Sequence, residues 1–193
     1  MAWHNSISPI EPRGYTCSYC GKHTGPNTGF FTKGGAPQRF IYLCTFCDKP
    51  TFFDGDQKQY PGAPFGNPVA SLPKDVEALY IEARSAMTVN SFTSVVLTCR
   101  KILMHIAVEK GAPEGQTFKQ YVQHLADEGY VPPGGEGWVD HIRDKGNDAN
   151  HEIILMSQPD AGQLMAFLEM LLKFVYEFPA LVPAPPIPAP ARP

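Results

Sequence analysis

The chain has 193 residues, a formal net charge of −3 and 43% hydrophobic residues. That length suits one ordinary domain or two small ones, and the apolar share excludes a wholly disordered chain. The acidic balance excludes coating of nucleic acid by bulk charge alone. No run of about 18 apolar residues occurs, and the N-terminus lacks a charged-then-apolar leader, so the chain is expected to be cytoplasmic, neither membrane-spanning nor secreted. Charge divides unevenly: residues 1–70 carry six Lys/Arg against four acids, and residues 71–193 carry ten against fifteen. A small basic module therefore precedes an acidic one.

The first module is organised by cysteine. Four of the five cysteines form two C-x-x-C pairs, Cys17/Cys20 and Cys44/Cys47, with 23 residues between the pairs. Each such turn aims two thiolates at one centre, and two turns supply the four ligands of a tetrahedral zinc ion. Gly21 suits the tight turn after the first pair. The runs 29–32 and 39–43 read as strands around a Lys33–Pro37 turn. The layout predicts a zinc ribbon over residues 1–53, holding one structural Zn2+ per chain through Cys17, Cys20, Cys44 and Cys47. Four thiolates leave no position for a catalytic water. Tyr19 and Phe46, with Lys22, Lys33 and Arg39, are candidates to stack on bases and meet phosphates of RNA or DNA. Alternatively, the aromatics cover a small core, or the ribbon docks a protein partner.

Residues 54–70 are rich in Pro and Gly without periodicity and read as a linker lying over the surface. Helical periodicity then begins. A first helix is expected from Leu72 or Pro73 to Met87, with Ser71 as N-cap. The second is expected from Ser91 to Lys110, stopped by Gly111, and the third from Thr117 to Gly129. A shorter helix holds Trp138 and Ile142. The last and most apolar runs from Asp160 to Phe178, ended by Pro179. The whole is an α+β chain: a small β zinc ribbon followed by an all-α antiparallel bundle over residues 71–179. Residues 180–193 form a proline-rich, polyproline-like tail.

Within the helical half, Arg143, Asn147 and His151 fall at four-residue steps and share a face if that segment is helical. Arg100, in the middle of the apolar second helix, is a further polar residue expected to face inward. An unpaired buried polar group costs ~1–3 kcal/mol, so these groups need partners.

The strings Tyr80-Ile81-Glu82-Ala83-Arg84, Cys99-Arg100-Lys101-Ile102-Leu103, Ile142-Arg143…Gly146-Asn147…His151 and Val175-Tyr176-Glu177-Phe178-Pro179 resemble an uncharacterised helical family. Its members occur alone behind a zinc ribbon or fused to restriction-endonuclease subunits and other bacterial defence proteins. That family is similar to the HEPN (higher eukaryotes and prokaryotes nucleotide-binding) domains, many of them dimeric ribonucleases. The resemblance implies a HEPN-like bundle, a homodimer through helical faces, and a place in a bacterial or phage defence system. The Arg143-to-His151 string is longer than the Arg-to-His spacing of active HEPN ribonucleases. Two functions follow: a non-enzymatic nucleic-acid- or protein-binding module, or a metal-independent endoribonuclease. In the latter His151 moves the proton, Arg143 or Arg100 stabilises the phosphorane charge, and Asn147 orients the phosphate. A purely structural role, with Arg143, Asn147 and His151 bonding across helices, and a polar ligand pocket remain open beside these.

Overall fold

A computed structural model describes residues 6–34, 37–131 and 155–182. The N-terminal half is antiparallel β. Strands β1 (Tyr15–Thr16) and β2 (His23–Thr24) pair as a two-stranded ribbon. Strands β3 (Gly29–Phe31), β4 (Phe40–Leu43), β5 (Pro50–Phe53) and β6 (Gln59–Tyr60) form a four-stranded sheet in chain order. Alternation places Phe40 and Tyr42 of β4 on one face, opposite Phe53 and Thr51 of β5. There Tyr15 and Tyr42 each meet Phe53 edge to face, with ring centroids 5.3 Å apart for Tyr15–Phe53 and 5.7 Å for Tyr42–Phe53. Glycine is required at position 29. It exchanges backbone hydrogen bonds with Ile7 on one side and pairs with Tyr42 on the other, and a Cβ there would lie 1.9 Å from the Ile41 carbonyl oxygen.

The C-terminal half is helical: α1 (Lys74–Thr88), α2 (Phe92–Glu109), α3 (Phe118–Asp127) and α4 (Gln158–Leu172). A π-helical turn (Lys173–Glu177) and a short α5 (Phe178–Leu181) continue α4. Helix α2 is central, packing against α1, α3 and α4. It buries Val95, Val96, Cys99, Ile102, Leu103, Ile106 and Ala107. Capping boxes start α3 (Thr117 with Gln120) and α4 (Ser157 with Asp160), each satisfying backbone N–H groups that the first helical turn leaves unpaired. Among the described residues no helix is long and apolar enough to cross a membrane.

Three sequence expectations need correcting. Ser71 does not cap α1: its φ is +61°, and Pro73 occupies the N-cap position without a side-chain hydrogen bond. Pro179 does not end the last helix. The π turn Lys173–Glu177 passes directly into α5, and Pro179 sits in the first turn of that continuation. Residues 54–70 are not a linker throughout, because β6 lies inside them and extends the sheet. The expected helix around Trp138 and Ile142 falls outside the described residues.

Candidate metal centre

The two C-x-x-C turns are built alike. In the first, the Cys17 amide donates to the Lys22 carbonyl (3.0 Å) and the Gly21 amide to the Cys17 carbonyl (2.9 Å). In the second, Cys44 N–H donates to Lys49 (3.0 Å) and Asp48 N–H to Cys44 (2.9 Å). The residue after each pair's second cysteine has positive φ, +69° at Gly21 and +57° at Asp48. Glycine adopts that conformation freely, and Asp is among the few other residues that tolerate it. β1–β2 carries the first turn, and the loop between β4 and β5 carries the second. Thr24 and Thr45 join them through their hydroxyls, 2.8 Å apart.

The turns bring all four Sγ atoms within 4.8 Å of one another. Cys17–Cys47 and Cys20–Cys44 are 3.7 and 3.8 Å apart. A metal–sulfur bond of about 2.3 Å gives a tetrahedral S···S edge of about 3.8 Å, so the spacing fits a tetrahedral thiolate shell and is too long for disulfides. Cys17 and Cys44 are buried while Cys20 and Cys47 are partly exposed, so the site is closed from the sheet side. Burial acts to raise the Cys44 pKa, but hydrogen bonds from the Phe46 and Cys47 amides and from the Cys47 and Cys17 thiols together outweigh it and lower it to about 7. Burial dominates at Cys17 and pushes that thiol up. A cation would remove this conflict by holding every sulfur as thiolate.

Around the centre, Tyr19 and Phe46 occupy the same position of their respective turns and stand 51% and 58% exposed. Lys22 lies over the Phe46 ring, 4.7 Å from its centroid, so a basic residue of the first turn meets the aromatic of the second. Tyr19 and Phe46 therefore leave about half of their surface open to solvent. Lys33 and Arg39 do not join this group: both are exposed at the turn end of the β3–β4 hairpin, away from the cysteines.

In the bundle, Arg100 is buried at 5% exposure, as its place on α2 predicts. Its guanidinium stacks on Phe118, 4.3 Å from the centroid, and burial lowers its pKa. Its Nη1 has no hydrogen-bond partner among the described residues. Arg143, Asn147 and His151 lie outside the described residues. Cys99 is fully buried against Met165, and burial pushes its thiol up to about 12, so it packs as an apolar residue.

A second set of polar residues joins the two halves, and sequence reasoning misses it. Arg84 donates to the carbonyls of Phe65 (3.0 Å) and Gly66 (2.9 Å). Tyr80 donates to Asn67, and the Glu169 carboxylate accepts both the Asn67 amide and its side chain. Glu177 accepts the Ala70 amide, and Gly62 N–H donates to Thr88. These bonds strap residues 62–70 to α1, α4 and the π turn. The signal available was Glu169, an acid inside the apolar run Leu164–Leu172. Burial acts to raise its pKa, but hydrogen bonds from Lys173 and Asn67 outweigh that and hold it below the usual carboxylate value.

Fold and centre define a class: a four-cysteine metal-binding β ribbon strapped to an α-helical body. The chain belongs to the family described as "Domain of unknown function (DUF4145)", whose pattern matches residues 81–184, more than half the chain. That match starts within α1 and leaves the cysteine centre outside it. No curated protein and no solved structure matches the chain.

Proposed function

We propose that the chain is a non-enzymatic binding module in which one structural Zn2+, held by Cys17, Cys20, Cys44 and Cys47, shapes a nucleic-acid recognition surface. Zinc is the fitting ion because a closed four-sulfur tetrahedral shell suits a metal with no geometric preference of its own. When bound, it fixes the relative positions of the two turns. The protein does the recognising: Tyr19 and Phe46 offer exposed ring faces for base stacking, and Lys22 places a charge for phosphate beside one of them. The observation that carries this reading is the pair of exposed aromatics at equivalent tips of a closed metal site. Lys33 and Arg39, at the other end of the hairpin, would meet a longer strand. The resemblance to defence-associated proteins supports reading the module as part of a bacterial or phage defence system in the cytoplasm.

The test is fluorescence anisotropy with single-stranded RNA and DNA across a salt series. Affinity should fall as salt rises, and Phe46→Ala should weaken binding by ~1–3 kcal/mol, the value of one base–aromatic stack. Absence of salt-dependent binding would leave a protein as the partner of the same face.

The Nη1 of buried Arg100, without a hydrogen-bond partner among the described residues, favours a second reading, in which the HEPN-like body is a metal-independent endoribonuclease acting as a homodimer. There Arg100 and Arg143 would meet phosphate charge, Asn147 would orient the phosphate and His151 would move the proton. Incubation with a mixed RNA pool in EDTA decides it: cleavage lost in a folded His151→Ala variant establishes the enzyme, and no cleavage by the parent chain removes it.

A further inference from the structure

We propose that the cleft between the first cysteine turn and α1 is the docking groove for this chain's own proline-rich segment, residues 183–193. This goes beyond the metal-centred reading and shares the first cysteine turn and Tyr19 with it, the docked segment competing with a base for that ring. The cleft has a volume of ≈ 330 Å³, and its walls include Tyr19, Pro64, Pro68, Ile81, Arg84 and Ser85. Tyr19 and Ile81 are about half exposed there, an aromatic and an aliphatic wall beside two prolines.

The hydrogen-bond chemistry of the walls selects the occupant. The aliphatic hydroxyl protons of the lining are already used: Ser18 donates to the Pro61 carbonyl, Ser85 to Ile81 and Thr88 to Ser85. Arg84 spends Nε and Nη2 on Phe65 and Gly66, which leaves Nη1 as a donor without a partner among the described residues. The groove thus offers ring and aliphatic faces with the Arg84 guanidinium and the Tyr19 hydroxyl as donors. A proline-rich strand has that complement: proline has no N–H to satisfy, its carbonyls accept, and its restricted backbone loses little entropy on docking. Residues 183–193 contain six prolines, with Ile187 at their centre and no acid to oppose binding beside Glu169 or Glu82.

Reach permits it. Glu177 bonds the backbone of Ala70, two residues from Pro68 in the cleft wall, and Val182 follows five residues after Glu177. Eleven residues at ~3.1 Å each give a polyproline strand of about 34 Å, enough to return from Val182 across the groove.

The test is site-directed crosslinking in the full chain, with Ile187 replaced by the photoreactive p-benzoylphenylalanine and the products mapped by mass spectrometry. The proposal predicts intrachain crosslinks to residues 18–21 or 81–88. It also predicts at least a tenfold loss of that product in a Tyr19→Ser/Ile81→Asp variant whose metal content and helical circular dichroism match the parent. Crosslinks elsewhere, a yield unchanged in the variant, or no crosslink at all would overturn it. A product found as a crosslinked dimer would likewise overturn it, seating a second copy's segment in the groove.

Discussion

Among the described residues, six buried ones make the core of the β half, two of them cysteines of the metal centre, whereas twenty-six make the core of the helical half. The helical core is built from Leu, Ile, Val, Phe and Met on four helices, enough apolar burial to hold an ordinary domain together. The β core is Ile10, Tyr15, Tyr42 and Phe53 around two thiols. A body that small folds only with a second source of free energy. The difference teaches where each half is vulnerable: the ribbon depends on four sulfurs, and the bundle on distributed packing.

Metal removal should separate the halves most sharply. Chelation, or Cys44→Ser, should remove a contribution on the scale of ~10–16 kcal/mol and unfold the ribbon. Hydrogen exchange should then be fast across residues 15–60 and still slow across 95–107. Equal loss of protection in both halves would break the comparison. The next effect belongs to the bundle. Leu168 is fully buried, and Leu168→Ala should cost ~2–5 kcal/mol in denaturant unfolding while leaving metal stoichiometry unchanged.

A smaller change tests the turn geometry alone. Gly21→Ala adds a Cβ that meets nothing within 4 Å, so its cost is backbone strain at φ +69°, about 1–2 kcal/mol, read as weaker metal retention against a competing chelator. The smallest effect concerns the strap. Glu169 has a depressed pKa, so its share of stability is present above the unfolded value of ~4.3 and lost as pH falls through the lower folded value. Glu169→Gln should flatten that acid limb of the stability profile, measured by thermal unfolding between about pH 5 and pH 3. An unchanged limb would show that the strap contributes nothing there.

Much of this organisation is legible in the sequence, for local reasons. The C-x-x-C spacing dictates a turn, and two turns dictate a shared centre. The apolar stripes of α1 to α4 repeat with helical period, and Arg100 stands out because it interrupts one. What is not legible depends on long-range geometry. The carbonyls and amides of residues 65–70 leave no residue-type signature, and their partners Glu169 and Glu177 lie about a hundred positions away. Ser71 looks like a cap until its left-handed backbone removes it, and Pro179 looks like a stop until the π turn before it lets the helix resume. Lys33 and Arg39 share a module with Lys22 but sit at the opposite end of its hairpin, a separation that composition cannot show.

The most direct test of the central claim is elemental analysis of the freshly purified chain, paired with Co2+ substitution. Four cysteines closing one tetrahedral shell predict one zinc per chain and, after exchange, the intense visible absorption and sulfur-to-cobalt charge transfer of a four-thiolate cobalt site. Protein that is fully folded across residues 15–60, holds no stoichiometric metal and leaves all four thiols open to alkylation would contradict it.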